Sequence, residues 1–206
     1  MSQPRTDTRF VSGHAFRHAE RPHGEDAASA AVFMAIPPRR ADPTHVTAGA
    51  RTFFVTSSTW GKQNLLQSDR AAGLFLRVLY DYRAQNKFRL HEFVVMPDHF
   101  HLLLIESEIT IEHAVQFIKG GFSFRAGKEL GLSSPVWQKG FSEVRISDAE
   151  TFQQIRSYIR NNPFARHLVA DPADYPHSSA HLGFELDSVP LGMRAPEQNH
   201  VARRRA

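Results

Sequence analysis

Residues 88–107, FRLHEFVVMPDHFHLLLIES, form two apolar runs separated only by Pro97 and Asp98. This break constrains the fold more than any other stretch of the chain. Proline fixes its own φ and has no N–H to give a ladder, so one continuous strand cannot cross it. The sequence therefore predicts strands at 88–96 and 99–107, joined by a tight turn and paired antiparallel. Strict alternation sends Val94, Phe100 and Leu102 to one face and Val95, His99 and His101 to the other. Two imidazoles then sit side by side on a core strand and need an explanation.

The flanking pattern supplies the rest of a domain. Residues 51–60 (RTFFVTSSTW) are β-branched and aromatic, which predicts a strand. Ser68 or Asp69 can cap a helix through about residue 86, with Leu74, Leu76, Val78, Leu79 and Tyr82 on its apolar stripe. Thr110 is placed to cap a second helix, weakened by Gly120 and Gly121 and ended by Gly131. EVRIS (143–147) reads as a short strand. Ser147 or Asp148 caps a third helix from about 149 to 162, stopped by Pro163. The order β-α-β-β-α-β-α predicts an α+β, ferredoxin-like or RRM-like antiparallel sheet with helices mainly on one face. The other face is left for a ligand.

Residues 1–48 lack periodicity and are rich in Arg, His, Pro and Ala, which predicts a disordered extension before a folded domain at 49–184. Residues 185–206 read as a flexible basic tail ending in Arg203, Arg204 and Arg205. The absence of cysteine excludes disulfides and thiolate metal sites. The formal net charge of +4 is compatible with a polyanionic partner but too small to establish one. No run approaches the roughly 18 apolar residues of a membrane span, and AAVFMAI (30–36) is too short and too late for a secretory signal. A cytoplasmic, nucleoid-associated protein is expected.

Two constellations carry chemistry. His99 and His101 lie about 7 Å apart on one strand face, close enough to share a divalent metal. Taken as an isolated His-x-His, they read more readily as core histidines satisfied by the backbone. Tyr158 and Asn162 are four residues apart on a helix, with Cβ atoms about 6 Å apart. A phenol, with a pKa of about 10, needs activation before it attacks phosphorus. Asn162 offers a hard carbonyl oxygen suited to magnesium or manganese. Read singly, Tyr158 is an amphipathic core residue and Asn162 a helix cap before proline.

Together, VVMPDHFHLLL, PVWQKGF and YIRNNPFARHLV…DYPHSSA resemble the single-tyrosine HUH transposases, and within them the REP-associated tyrosine transposases. The resemblance covers roughly residues 50–181. It implies that His99, His101 and Asn162 bind a divalent metal, Mg²⁺ or Mn²⁺. It implies that Tyr158 attacks a phosphodiester in single-stranded DNA, leaving a 5′-phosphotyrosine and a free 3′-hydroxyl. Strand transfer is the reverse attack by a 3′-hydroxyl. The subgroup acts on palindromic hairpin DNA, and its relatives include both monomers and homodimers. Many relatives carry a histidine where this chain has Val144, and the first 48 residues have no counterpart in the family pattern.

Lys119, Arg125 and Lys128 on the second helix, and Arg156 and Arg160 beside Tyr158, are candidates for DNA phosphates. Trp137 and Phe141 are candidates for stacking on unpaired bases. Each reads equally well as a solvated helix face or as packing. Two other functions compete: a hairpin-binding module that has lost turnover, and a metal nuclease that activates water and needs no tyrosine.

Overall fold

The computed structural model describes residues 51–194. The proposed disordered extension (1–48) and the arginine-rich end of the chain lie outside the described residues. Four strands, β1 (Thr52–Ser58), β2 (Phe88–Met96), β3 (His99–Glu106) and β4 (Ser142–Ile146), form one antiparallel sheet in the order β2-β3-β1-β4. The helices are α1 (Asp69–Ala84), α2 (Ile111–Leu130) and α3 (Ala149–Ala165). This is the α+β architecture that the element order predicts.

One face of the sheet carries the main core. Phe53, Val55, Leu90, Phe93, Val95, Phe100, Leu102 and Leu104 meet α1 and α2 there. The Phe75 ring lies 4.9 Å from Phe100 and 5.7 Å from Phe122, between centroids. Helix α3 crosses the other face: its Phe152 meets His91, and its Tyr158 meets Phe54 and His101. Two helices thus share one face, and the third lies over the face left for chemistry.

The two-residue turn corrects the predicted facing of β2. Met96 pairs with His99, Val95 with Phe100 and Val94 with His101. Cross-strand partners share a face, so Val94 lies with the histidines and Val95 with Phe100, the reverse of the prediction. Simple alternation fails because it counts along the chain, whereas a hairpin turn reflects it. A register irregularity between Leu90 and Glu92 also leaves His91 as an extra residue in β2. Leu90 faces the core while His91 and Glu92 both turn toward α3.

The helix ends differ from expectation in three places. Ser68 and Asp148 cap α1 and α3 through their side chains, but Thr110 does not cap α2. Glu106 accepts from Ile111 N instead, at 3.0 Å, while also gripping Arg51. Gly120 and Gly121 do not break α2, which is continuous to Leu130. At Gly121 an added Cβ would lie 2.9 Å from the Tyr82 ring, so glycine there lets α1 and α2 approach closely. Pro163 does not stop α3 either, because a proline late in a helix removes a donor without preventing one more turn. The helix ends at Ala165 with Arg166 as its C-cap, before His167 takes a left-handed φ of 56°.

The segment read as tail from residue 185 is anchored as far as it is described. Asp187 pairs with Arg83 at 2.8 Å and accepts from Leu90 N at 2.7 Å, and Gln153 donates to Met193 O.

Edge strand β4 holds a carboxyl under strain of solvation. Glu143 lies across from Val55, and its Oε2 is buried with no hydrogen-bond partner. Burial, aided by Glu112 and Glu106, pushes its pKa up from 4.5 to about 7. Between those values the folded chain keeps a proton that the unfolded chain has released, so stability falls as pH rises across that window. Glu143→Gln is expected to melt above wild type at pH 8 and to lose that advantage toward pH 4.5. An equal difference in melting temperature at both pH values would show that the carboxyl is not held protonated.

Candidate active site

The central strand β3 presents His99 and His101 to the α3 face, 6% and 2% exposed. Their ring centroids are 4.8 Å apart. Each ring is oriented through Nδ1. His99 Nδ1 lies 2.6 Å from Asp98 Oδ1, and His101 Nδ1 lies 2.7 Å from Thr56 Oγ1. The β1–β3 register makes Thr56 the direct partner of His101. With Nδ1 engaged, Nε2 is the nitrogen left on each ring. This is the way metal-ligating histidines are held by carboxylates and hydroxyls behind them.

Helix α3 brings the other two residues. The Tyr158 ring lies 5.3 Å from His101 and 5.9 Å from Phe54, between centroids, both nearly edge-on. Asn162, one turn later, is 5% exposed, and its side chain favours the ionised form of the Tyr158 hydroxyl. Two buried polar atoms here have no hydrogen-bond partner: His101 Nε2 and Asn162 Oδ1. A buried acceptor without a partner costs about 1–3 kcal/mol, so two at one site call for an occupant.

The electrostatics agree. Burial holds His101 well below the usual imidazole pKa, with His99 and Arg166 adding to the effect. Burial also lowers His99, against the pull of Asp98. Both rings are therefore neutral at pH 7, the form that donates a lone pair to a metal. Burial raises the Tyr158 phenol, while the Asn162 hydrogen bond and Arg166 oppose the rise. A neutral nitrogen pair and a carbonyl oxygen fit Mg²⁺ or Mn²⁺. Among the described residues no three His, Cys, Asp or Glu side chains form a metal-holding group; the Asn162 amide oxygen is the further donor atom beside the two imidazoles.

The structure thus brings together His99, His101, Tyr158 and Asn162. It does not bring the predicted DNA contacts to them. Trp137 is 9% exposed among Phe75, Phe100 and Phe122, and its indole N–H donates to Lys119 O. It is a core residue with no face to offer a base. Trp137→Ala is expected to cost about 3–5 kcal/mol in urea unfolding, and a loss below 1 kcal/mol would return it to the surface role. Phe141 packs at the edge of the same cluster. Lys119 Nζ donates to the carbonyls of Gln138 and Gly140, and burial lowers its pKa to about 8. Arg125 pairs with Glu129 and Asp81. Lys128 lies 4.1 Å from the centre of the Phe124 ring. Arg156 and Arg160 both turn to Glu92.

Sequence reasoning missed the residues that do surround the site. Asp98 stands within the quoted motif, beside His99. Thr56 becomes visible only through strand register. Arg166 follows Tyr158 and Asn162 at helical spacing and raises the positive potential at both histidines. Lys62 acts likewise on His99, from a loop that packs on the Pro97–Asp98 turn through Thr59 and Leu66. Trp60 beside it is 44% exposed.

The paired histidines, tyrosine and asparagine lie within the segment by which the chain can be compared with known proteins. Residues 56–162 match the model of the IS200-like transposase family, more than half of the chain, and the chain belongs to that family. It is 27% identical over 107 residues to a Haemophilus influenzae protein named as a REP-associated tyrosine transposase, covering 47% of this chain and 61% of the relative. The match thus spans somewhat less than two thirds of that relative's length. The fold resembles a solved REP-associated tyrosine transposase bound to a REP hairpin, with a TM-score of 0.57 and 18% identity over 76% of this chain and 99% of the other. Among the described residues no helix is long and apolar enough to cross a membrane.

Proposed function

We propose that this chain cleaves and rejoins single-stranded DNA beside a hairpin, through a 5′-phosphotyrosine on Tyr158. One observation carries the reading: His101 Nε2 and Asn162 Oδ1 are buried and unpartnered next to a tyrosine hydroxyl. His99, His101 and Asn162 would hold a divalent cation, Mg²⁺ or Mn²⁺. Bound there, such an ion acts as a Lewis acid on the scissile phosphate. Asp98 and Thr56 keep both imidazoles turned with Nε2 free. The Asn162 amide and Arg166 favour the phenolate of Tyr158 against its burial.

The Tyr158 oxygen forms a bond to phosphorus as the bond to the 3′-oxygen breaks. The phenol loses one proton and the departing 3′-oxygen gains one, so no water or nucleotide is consumed. Return attack by a 3′-hydroxyl reverses the bookkeeping and transfers the strand. All four residues come from one chain, so a monomer carries a complete set, and a homodimer would carry two. We place Lys62, Arg166 and the exposed Trp60 along the path of the bound strand, where cations meet phosphates and an indole meets a base.

The test uses hairpins from the flanks of the gene, labelled on either side of the cut, with Mn²⁺ and a denaturing gel. A protein band carrying the label 3′ of the cut, absent with EDTA, is expected. Cleavage without an adduct would instead identify a water-using nuclease. Tight binding with no cleavage across flanking hairpins and both metals would identify a binding module.

A further inference from the structure

Beneath α3 lies a carboxylate that the chemistry above does not use. Glu92 is completely buried, and Arg156 Nε and Arg160 Nε each donate to one of its oxygens, at 2.8 and 2.9 Å. The Ser179 hydroxyl sits 2.7 Å from Oε1 and accepts from Phe93 N at 2.9 Å. A charge wholly removed from water persists only when it is paired in this way. The extra residue at His91 is what turns Glu92 onto the face under α3, across from Leu103.

The placement on the helix is informative. At 100° per residue, Arg156 and Arg160 form one flank of α3, over β2. Tyr158 is two residues from each and so falls on the opposite flank, over Phe54 and His101. Phe152, Ile155 and Ile159 lie between them, buried against the sheet. Apolar contacts of that kind resist separation but slide. The two arginine pairs resist rotation of the helix about its own axis. A roll of ~20° would move a side-chain tip roughly 2 Å, for a helix about 10 Å across with its side chains.

We propose that Glu92 is a positioning residue for Tyr158: by pinning Arg156 and Arg160 it sets the roll of α3, and with it the reach of the tyrosine oxygen to phosphorus. The inference rests on the phosphotyrosine reading but is tested apart from it. Glu92→Gln removes the charge that holds two guanidinium groups on the flank of α3 away from Tyr158. Hairpin affinity is therefore expected to stay level. The single-turnover rate of adduct formation is expected to fall about 100-fold, the cost of misplacing a reacting group by an ångström or so. A residue that merely supported the fold would instead weaken binding along with rate.

A second variant, with Glu92, Arg156 and Arg160 all changed to Leu, replaces the buried charges with apolar contact. It is expected to recover the melting temperature but not the rate, since such replacements commonly keep or raise stability. The third readout needs no turnover: NMR cross-peaks between the Tyr158 and His101 rings, present in wild type, are expected to weaken in both variants. A wild-type adduct rate in either variant, or unchanged ring cross-peaks, would overturn the proposal. Failure of the wild-type protein to form any adduct would sink the phosphotyrosine reading alone, and the cross-peaks would still decide the role of Glu92.

Discussion

Tyr158→Phe is expected to abolish the covalent protein–DNA adduct while leaving the fold and hairpin binding in place. The ring keeps its edge-on contacts with His101 and Phe54, so the packing under α3 survives. The hydroxyl is lost, and with it the hydrogen bond from the Asn162 side chain that favours the phenolate. That bond contributes about 1 kcal/mol, too little to unfold a domain. The proposed reaction, by contrast, would lose the atom that forms the bond to phosphorus. Removing a covalent nucleophile from an assembled site commonly costs 10⁴-fold or more, so no adduct band should remain. The measurement is a denaturing gel with hairpin DNA and Mn²⁺, alongside a thermal melt. An adduct that persisted in the variant would move the nucleophile elsewhere.

His101→Ala carries the second large effect, and its first readout is the metal. His101 is the more buried of the two rings, it stacks 5.3 Å from Phe54 between centroids, and its Nε2 has no partner among the described residues. Without it, a bound Mn²⁺ would keep one imidazole nitrogen and one amide oxygen of the proposed set, too few to compete with water. Wild-type protein is expected to gain about 2.7 kcal/mol of stability when Mn²⁺ reaches 100 times its dissociation constant. The variant should gain nothing at the same concentration, and metal-dependent cleavage should fall by a factor on the order of 10³. Thermal melts with and without Mn²⁺ check the first outcome, and a cleavage assay checks the second. Equal metal-induced stabilisation in the two proteins would remove His101 from the ligand set. The variant also leaves the Thr56 hydroxyl without its ring partner, so its metal-free stability is the proper baseline.

The element order was readable because each segment announces its own period. The Pro97–Asp98 turn, the alternation of β1 and the stripe of α1 are local signals. The four candidate residues could be named because two lie on one strand and two on one helix, each pair within a short motif. What brings the pairs together is not local. That α3 crosses the sheet over β3 depends on the Glu92 anchorage and on apolar contacts distant in sequence.

The errors share this cause. Val94 and Val95 were assigned to the wrong faces because a hairpin turn changes the count. Trp137 and Lys119 look like DNA contacts in a basic, aromatic stretch, yet they face each other across the core edge. Charge and aromaticity are written in the sequence, whereas the partner that consumes them is not. Arg166 and Lys62 escaped notice for the converse reason. Arg166 stands at helical spacing from Tyr158 and Asn162, but its charge acts on the histidines only through the packing of the helix end, and Lys62 does so from a loop that nothing nearby in sequence marks.

Strand β3 serves two layers at once: Phe100 and Leu102 fill the core under α1 and α2, while His99 and His101 face α3. The gene is therefore unevenly tolerant of small length changes at this point. Gaining or losing a single codon inside β3 exchanges the layers beyond it, driving an imidazole into hydrocarbon and a phenyl ring into the reaction site. A two-codon change preserves the facing and shifts only the register. The most constrained quantity in this stretch is thus parity, and lineages that drift freely in length at their loops would be held to an even count here.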